Sequence, residues 1–370
     1  MTGVPTFTAP DGTRLAHHAR GEGEPLLCLP GGPMRASAYL GDLGGLTRHR
    51  RLHALDLRGT GDSALPADPA TYRCDRQVDD VEAFRAHLGL DRVDLLAHSA
   101  GCDLALLYAV RHPRRVRTLT MVAGRARALG VDFTPEHRAE GAALRKAEPW
   151  FEGAHDAYTR LWDGTATETD EDTALPFFYG RWDAAAEAHA ASGAEQYNDE
   201  AAERYAGPGA FRPAEARAVV AAWDTRVLLV AGELDSGPLP RVAAAVADLF
   251  PRAELAVLPG AGHFPWLDAP DALRETVAGF LGRAADRHDG GATATVIARV
   301  LAEHRGRGFG GELYARGLEQ ARALGARVIE TVVLAANEDG LRFALRHGFA
   351  ETERYVLPGE SAEWIDLRLG

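Results

Sequence analysis

Arg92-Val93-Asp94-Leu95-Leu96-Ala97-His98-Ser99-Ala100-Gly101-Cys102-Asp103-Leu104-Ala105-Leu106-Leu107 is the stretch on which the fold turns. An apolar run from Val93 to Ala97 ends at a serine set among small residues, and a helical pattern starts at once behind it. That reads as a buried strand, a sharp turn and a helix. A serine in such a turn is held clear of its neighbours, with its hydroxyl exposed at the carboxyl end of a sheet. The residues two before and two after it must be small, or strand and helix collide; here they are Ala97 and Gly101. The pattern is G-x-S-x-G with alanine for the first glycine. It implies a nucleophile only if an acid and a histidine follow in the right order and context.

Bulk properties set the frame. The chain has 370 residues, 46% hydrophobic and 25% charged, enough for a large domain and a small one. A net charge of -12 argues against a nucleic-acid partner. No apolar run approaches the ~20 residues that span a bilayer. Met1 to Pro10 lacks the basic and apolar regions of a signal peptide. Cys28, Cys74 and Cys102 are scattered without metal spacing. They read as reduced thiols, so a cytoplasmic location, no metal and no membrane partner are expected.

In chain order, Thr13 to Arg20 and Pro25 to Leu29 read as strands. The second runs into Pro30-Gly31-Gly32-Pro33, whose bare backbone is either a tight turn or a loop that points an N–H at a substrate oxygen. A helix is expected from about Ser37 to Thr47. The strand Leu52 to Leu57 leads into Asp56-Leu57-Arg58-Gly59-Thr60-Gly61-Asp62-Ser63, where Asp and Arg are expected to fix the loop by charge-assisted hydrogen bonds. Asp75 to Leu88 has helical spacing, and Val116 to Val122 reads as another buried strand. Strands alternating with helices predict an α/β fold: a mostly parallel sheet covered on both faces, with ligands at the carboxyl ends of its strands.

From about Gly124 to Trp223 the strand signal stops. The segment is helical in pattern and carries Trp150, Phe151, Trp162, Phe177, Phe178, Tyr179 and Trp182. It reads as a helical lid over about 125–222, its aromatics either lining an apolar pocket or packing on one another. The lid is also acidic, which leaves open an acid facing a cationic substrate group, with no residue assigned. The sheet resumes at Arg226 to Ala231, followed by Gly232-Glu233-Leu234-Asp235, a helix, the strand Glu254 to Leu258, and Pro259-Gly260-Ala261-Gly262-His263 before a last helix.

Ser99, Asp235 and His263 thus follow in that order, each at a strand's carboxyl end. A serine hydroxyl needs a base within reach, and the imidazole needs a carboxylate on its other nitrogen. Taken singly, Asp235 could be a helix cap, and Glu233 competes with it as the acid. His98 is expected to turn away from the site. Ala100 is expected to supply one oxyanion N–H and Gly32 the other.

Residues 1–284 resemble the α/β-hydrolase superfamily, and within it the proline iminopeptidase-like branch. The resemblance is carried by Pro30-Gly31-Gly32-Pro33, the Asp56 to Ser63 loop, the Ser99 turn, Gly232-Glu233-Leu234-Asp235 and Gly260-Ala261-Gly262-His263. It implies a serine hydrolase acting on a small ester, amide or short peptide through an acyl-enzyme, without a cofactor. Two departures bear on specificity: Pro30 stands where that branch has histidine, and Ala100 where the iminopeptidases have tryptophan. An esterase is as consistent with the residues as an aminopeptidase.

A linker is expected over 285–293 and a second domain over 294–370. There the strand Thr295 to Leu301 precedes Arg305-Gly306-Arg307-Gly308-Phe309-Gly310 and a helix to about Leu324. Bare N–H groups at a helix start can cradle a pyrophosphate. The tail resembles the C-terminal half of the GCN5-related N-acetyltransferase (GNAT) fold. That resemblance implies acetyl-CoA binding through Arg305, Gly306, Arg307, Gly308 and Gly310, with Asn337 on the cofactor side. The family's N-terminal strands and helices have no counterpart. The tail therefore either binds CoA, completes its sheet with a second copy as a homodimer, or is a fusion remnant.

Overall fold

The computed structural model describes residues 4–285, 292–296, 309–323, 326–356 and 361–369. They fall into two compact units, one ending at Gly282 and the other starting at Arg283.

The first unit is built on eight strands: β1 (Thr6–Thr8), β2 (Arg14–Arg20), β3 (Pro25–Leu29), β4 (Arg51–Leu55), β5 (Val93–His98), β6 (Val116–Val122), β7 (Arg226–Gly232) and β8 (Ala253–Leu258). Their order is β1-β2-β4-β3-β5-β6-β7-β8. The first two pairings are antiparallel, and from β4 onward every pairing is parallel. Parallel strands need both faces covered, and all six residues of β5 are buried. Side chains alternate between two cores. Leu27, Leu95, Ala97 and Leu229 lie in one; Leu26, Leu96, Leu228 and Val230 lie in the other. This is the period-two alternation of a strand read on both faces.

Helices α1 (Val78–His87) and α2 (Gly101–Arg111) follow β4 and β5. Between β6 and β7 lie α3 (Pro135–Ala143), α4 (Phe151–Asp163), α5 (Glu168–Ala174), α6 (Ala184–Ala191), α7 (Asp199–Tyr205) and α8 (Pro213–Val220). Thr134 and Thr167 start α3 and α5 with capping boxes. After β7 come α9 (Pro240–Ala247), α10 (Pro265–Asp268) and α11 (Pro270–Ala285).

The helix expected from Ser37 to Thr47 does not form. Two short 3-10 turns, Ser37–Leu40 and Leu46–Arg48, stand in its place. Gly41, Leu43, Gly44 and Gly45 all take positive φ there, which no right-handed helix can contain. The Asp56 to Ser63 loop is fixed as the sequence implies. Arg58 is bidentate to Asp80 and reaches Asp11, while Asp56 accepts from the Ser37 N–H and hydroxyl and from the Asp62 N–H.

The second unit holds β9 (Ala292–Thr295), α12 (Phe309–Ala323), β10 (Ala326–Leu334), α13 (Glu338–Arg346), β11 (Phe349–Val356) and β12 (Glu363–Leu369). The sheet order is β11-β12-β10-β9, with β9 parallel to β10 and the other pairs antiparallel. Tyr314, Ile329, Phe349, Ile365 and Leu367 form its core. The first strand starts three residues earlier than expected, inside the stretch read as linker. Its pairing with β10 draws those small residues into the sheet.

Candidate active site

The turn after β5 is where the site begins. Ser99 has φ 51°, a left-handed conformation that residues other than glycine seldom adopt. Such strain costs ~1–3 kcal/mol and persists only where the surroundings impose it. Here the Ser99 N–H is held by Val122 O on β6, and its carbonyl accepts from the N–H groups of Cys102 and Arg125. A Cβ on Gly101 would sit 2.3 Å from Pro30 O, so α2 can start this close to the β3 loop only from a glycine.

Ser99, Asp235 and His263 come together. His263 Nε2 lies 2.9 Å from Ser99 Oγ, and its Nδ1 lies 3.0 and 3.2 Å from the two Asp235 carboxylate oxygens. Asp235 is fully buried, and Oδ1 also accepts from the Gly237 N–H at 2.8 Å. A buried carboxylate on Nδ1 favours the tautomer with the proton on that nitrogen, leaving Nε2 free to accept from the serine. Glu233 is elsewhere: its carboxylate accepts from the Gly260 N–H and ties down the loop that carries His263.

The Gly31-Gly32 loop lies directly against the serine. A Cβ on Gly31 would meet His98 O at 2.7 Å and Ser99 Cβ at 2.8 Å. The Gly31 N–H is committed to the Tyr39 hydroxyl at 2.6 Å. Gly32 takes φ 119° and lines the cavity at Ser99. Ala100 precedes the first turn of α2, where N–H groups lack helical acceptors.

His98 does not turn away. It shares the face of Leu96, by the alternation of β5, and that face carries Tyr39, Phe264 and Trp266. Its Nε2 lies 2.9 Å from the His263 carbonyl, so Nε2 carries the proton and donates. Its Nδ1 then accepts from the Tyr39 hydroxyl at 2.8 Å. Burial, with His263 beside it, pushes this imidazole well below its ordinary value, which keeps it neutral. Burial raises the Tyr39 phenol, which keeps its proton for donation. One chain of hydrogen bonds therefore runs from Gly31 through Tyr39 and His98 to the backbone of His263.

The cavity at Ser99 has a volume of about 280 Å³. Of the aromatics singled out in the lid, Trp162, Phe178 and Tyr179 line it. Trp150, Phe151 and Phe177 pack with Tyr158 inside the lid instead. The lid is tied to the acid loop by the Tyr158 hydroxyl, which donates to Ser236 O, and by Ser236 Oγ, which donates to Phe177 O. None of the lid acids lines the cavity among the described residues; Asp170 is spent on the Thr167 cap and on Arg160. Two arginines that the sequence reading passed over, Arg35 and Arg125, do line it. A usable signal existed: each lies within six residues of a strand's carboxyl end.

In the second unit, Arg305, Gly306, Arg307 and Gly308 lie outside the described residues. Gly310 stands in the first turn of α12. Asn337 is the N-cap of α13, its side-chain oxygen accepting from the Gly340 N–H at 3.1 Å.

The chain belongs to the alpha/beta hydrolase fold family, whose model matches residues 24–270. The acetyltransferase (GNAT) family model matches residues 244–349, so its match begins inside the first unit and ends at the start of β11. A proline iminopeptidase from Heyndrickxia coagulans is 35% identical over 99 residues, 27% of this chain and 34% of its own length. A 2-hydroxymuconate semialdehyde hydrolase from Pseudomonas sp. (strain CF600) is 34% identical over 125 residues, 33% of this chain and 42% of its own. The chain thus aligns with well under two thirds of these relatives. Among solved structures, the proline iminopeptidase of Mycobacterium smegmatis superposes with TM-score 0.60 at 25% identity, over 77% of this chain and 100% of that one. The esterase EaEST from Exiguobacterium antarcticum does so with TM-score 0.57 at 19% identity, over 76% and 100%.

Proposed function

We propose that the first unit is a serine hydrolase that cleaves a small ester or amide through an acyl-enzyme. The observation that carries this reading is the unbroken hydrogen-bond chain Ser99–His263–Asp235 at the floor of a cavity. In this reading Ser99 Oγ attacks the carbonyl carbon of the substrate while His263 Nε2 takes its proton. The negative charge that develops on the carbonyl oxygen is met by the N–H groups of Gly32 and Ala100. The second of these also feels the positive end of α2. His263, now cationic, is stabilised by Asp235 and returns its proton to the leaving group. Water then attacks the acyl carbon as His263 takes its proton, and His263 returns that proton to Ser99 Oγ as the acid leaves.

The test is hydrolysis of a panel of p-nitrophenyl esters and prolyl-p-nitroanilide by wild type and Ser99→Ala, with phosphonate labelling of Ser99. Turnover that disappears in the variant is expected. Wild-type activity in Ser99→Ala, or folded protein that neither reacts nor labels, would overturn the reading.

A second reading is favoured by the Arg305 to Gly310 motif together with the GNAT match: the C-terminal unit binds acetyl-CoA, alone or beside the hydrolase. Calorimetric titration of the full chain with CoA tests it.

A further inference from the structure

The protein carries a net charge of -12, yet its active-site cavity is cationic. Arg35 and Arg125 line it, and no Asp or Glu does among the described residues. Both arginines are anchored beside the reacting groups by their backbones. The Arg35 N–H donates to Gly31 O, and the Arg125 N–H donates to Ser99 O, each at 3.1 Å.

Arg35 is only 3% exposed. Its Nε donates to Gln196 Oε1, and its Nη2 donates to His189 O and Ser192 Oγ, all at 2.8–3.0 Å. Its guanidinium lies 4.6 Å over the Tyr39 ring and 5.5 Å from that of Tyr197. Every one of these partners is neutral, and no carboxylate is ion-paired with Arg35 among the described residues. A buried cation without a counter-charge is costly, and the cavity is where a counter-charge can enter.

Arg125 is ion-paired with Asp132, whose oxygens lie 3.1 and 3.2 Å from Nη2 and whose side chain is 43% exposed, while buried Asp103, bonded to Arg127, acts on it from further away. Its Nε is buried with no hydrogen-bond partner among the described residues. Burial, with Arg127 nearby, lowers its guanidinium below the usual value, a sign that the cation is poorly solvated. Arg138 adds a third positive charge behind the wall, stacked 4.3 Å over Trp162 and 5.3 Å from Phe133. Both rings line the cavity.

We infer that the substrate of this site carries a carboxylate, held by Arg35 and Arg125 while Ser99 attacks its ester or amide bond. The inference rests on the hydrolase reading above. It gives the site a sign: an acid-bearing ester is favoured, and a substrate with a free cationic amine, such as an N-terminal prolyl group, is disfavoured.

Two matched pairs test it with the full chain. Mono-p-nitrophenyl adipate against p-nitrophenyl hexanoate places the charge on the acyl side, and 4-carboxyphenyl hexanoate against phenyl hexanoate places it on the leaving group. In at least one pair, kcat/KM should favour the carboxylate by ~10-fold or more, the worth of a charge-assisted hydrogen bond. Arg125→Met and Arg35→Met should each cut that preference ~10-fold through KM, and Arg125→Lys should restore much of it. The wild-type comparison stands even if a variant fails to fold. A neutral preference in both pairs, with Ser99 labelled by phosphonate, would overturn the carboxylate and leave the hydrolase. No turnover and no label would overturn both.

Discussion

Replacing Tyr39 by phenylalanine removes one oxygen and orphans two buried partners. The hydroxyl accepts from the Gly31 N–H at 2.6 Å and donates to His98 Nδ1 at 2.8 Å. Tyr39 is 4% exposed and His98 1%, so water does not readily replace it. Each orphan costs ~1–3 kcal/mol, so Tyr39→Phe should destabilise the first unit by ~2–6 kcal/mol and lower its urea midpoint by ~1 M or more. The loss should be cooperative. A double-mutant cycle with His98→Leu should show a coupling of ~1 kcal/mol, because one bond is shared. Activity should fall as well, since the same hydroxyl holds the loop that carries Gly32, whose N–H is proposed to meet the oxyanion. Near-UV circular dichroism in urea measures the first effect, and kcat on a p-nitrophenyl ester the second. Nitrogen NMR of His98 adds a direct check, because the network demands a proton on Nε2. An unchanged urea midpoint, or a His98 protonated on Nδ1 instead, would refute the network.

Three further outcomes can be measured. Gly31→Ala would place a methyl 2.7 Å from His98 O and 2.8 Å from Ser99 Cβ. The loop must move, and kcat should drop ~100-fold; a wild-type rate would show that the loop does not press on the serine. Acid should weaken the fold. Burial lowers His17, 4% exposed and flanked by His53 and His87, from 6.5 to about 4. An unfolded chain takes up this proton near pH 6.5 and the folded one only near 4. The stability is therefore complete above the higher value and drains as pH falls toward the lower, by at most ~3 kcal/mol. Urea midpoints at pH 7.5, 6 and 4.5 should decline, less so in His17→Leu; a flat profile rejects the assignment. Finally, if the tail cradles a pyrophosphate, replacing Gly308 and Gly310 by tryptophan should abolish CoA heat in calorimetry. Equal binding by wild type and variant would remove that motif from the site.

The main lines of the first unit were legible from residues alone. Ser99, Asp235 and His263 each follow an apolar run and a small-residue turn, and local chemistry suffices to mark such strand ends. The six-residue strand β5 and the seven-residue strand β6 stood out as short runs rich in apolar residues between helical patterns. Local signals failed where backbone freedom decides. A helix was expected over Ser37 to Thr47, but four positive-φ residues exclude it. They failed again at His98, whose direction depends on which sheet face meets the His263 loop. The tail's first strand was placed late, because Ala292 to Thr295 owes its extended form to pairing with β10 rather than to its own residues.

By itself the sequence marked the main strands β2 to β8, the serine turn and two residues that could serve it, because these depend on side-chain size, periodicity and turn chemistry within a few positions. Only the tertiary structure decided what surrounds them. Ser99 and His263 are 164 residues apart, and Arg35 meets Gln196 across 161. The first is set by the order of β5 to β8 in the sheet and the second by how the lid packs on it, and burial then fixes their chemistry. The neutral His98, the occupied Gly31 N–H and the buried Arg35, without an acid partner among the described residues, exist only once water has been excluded around them.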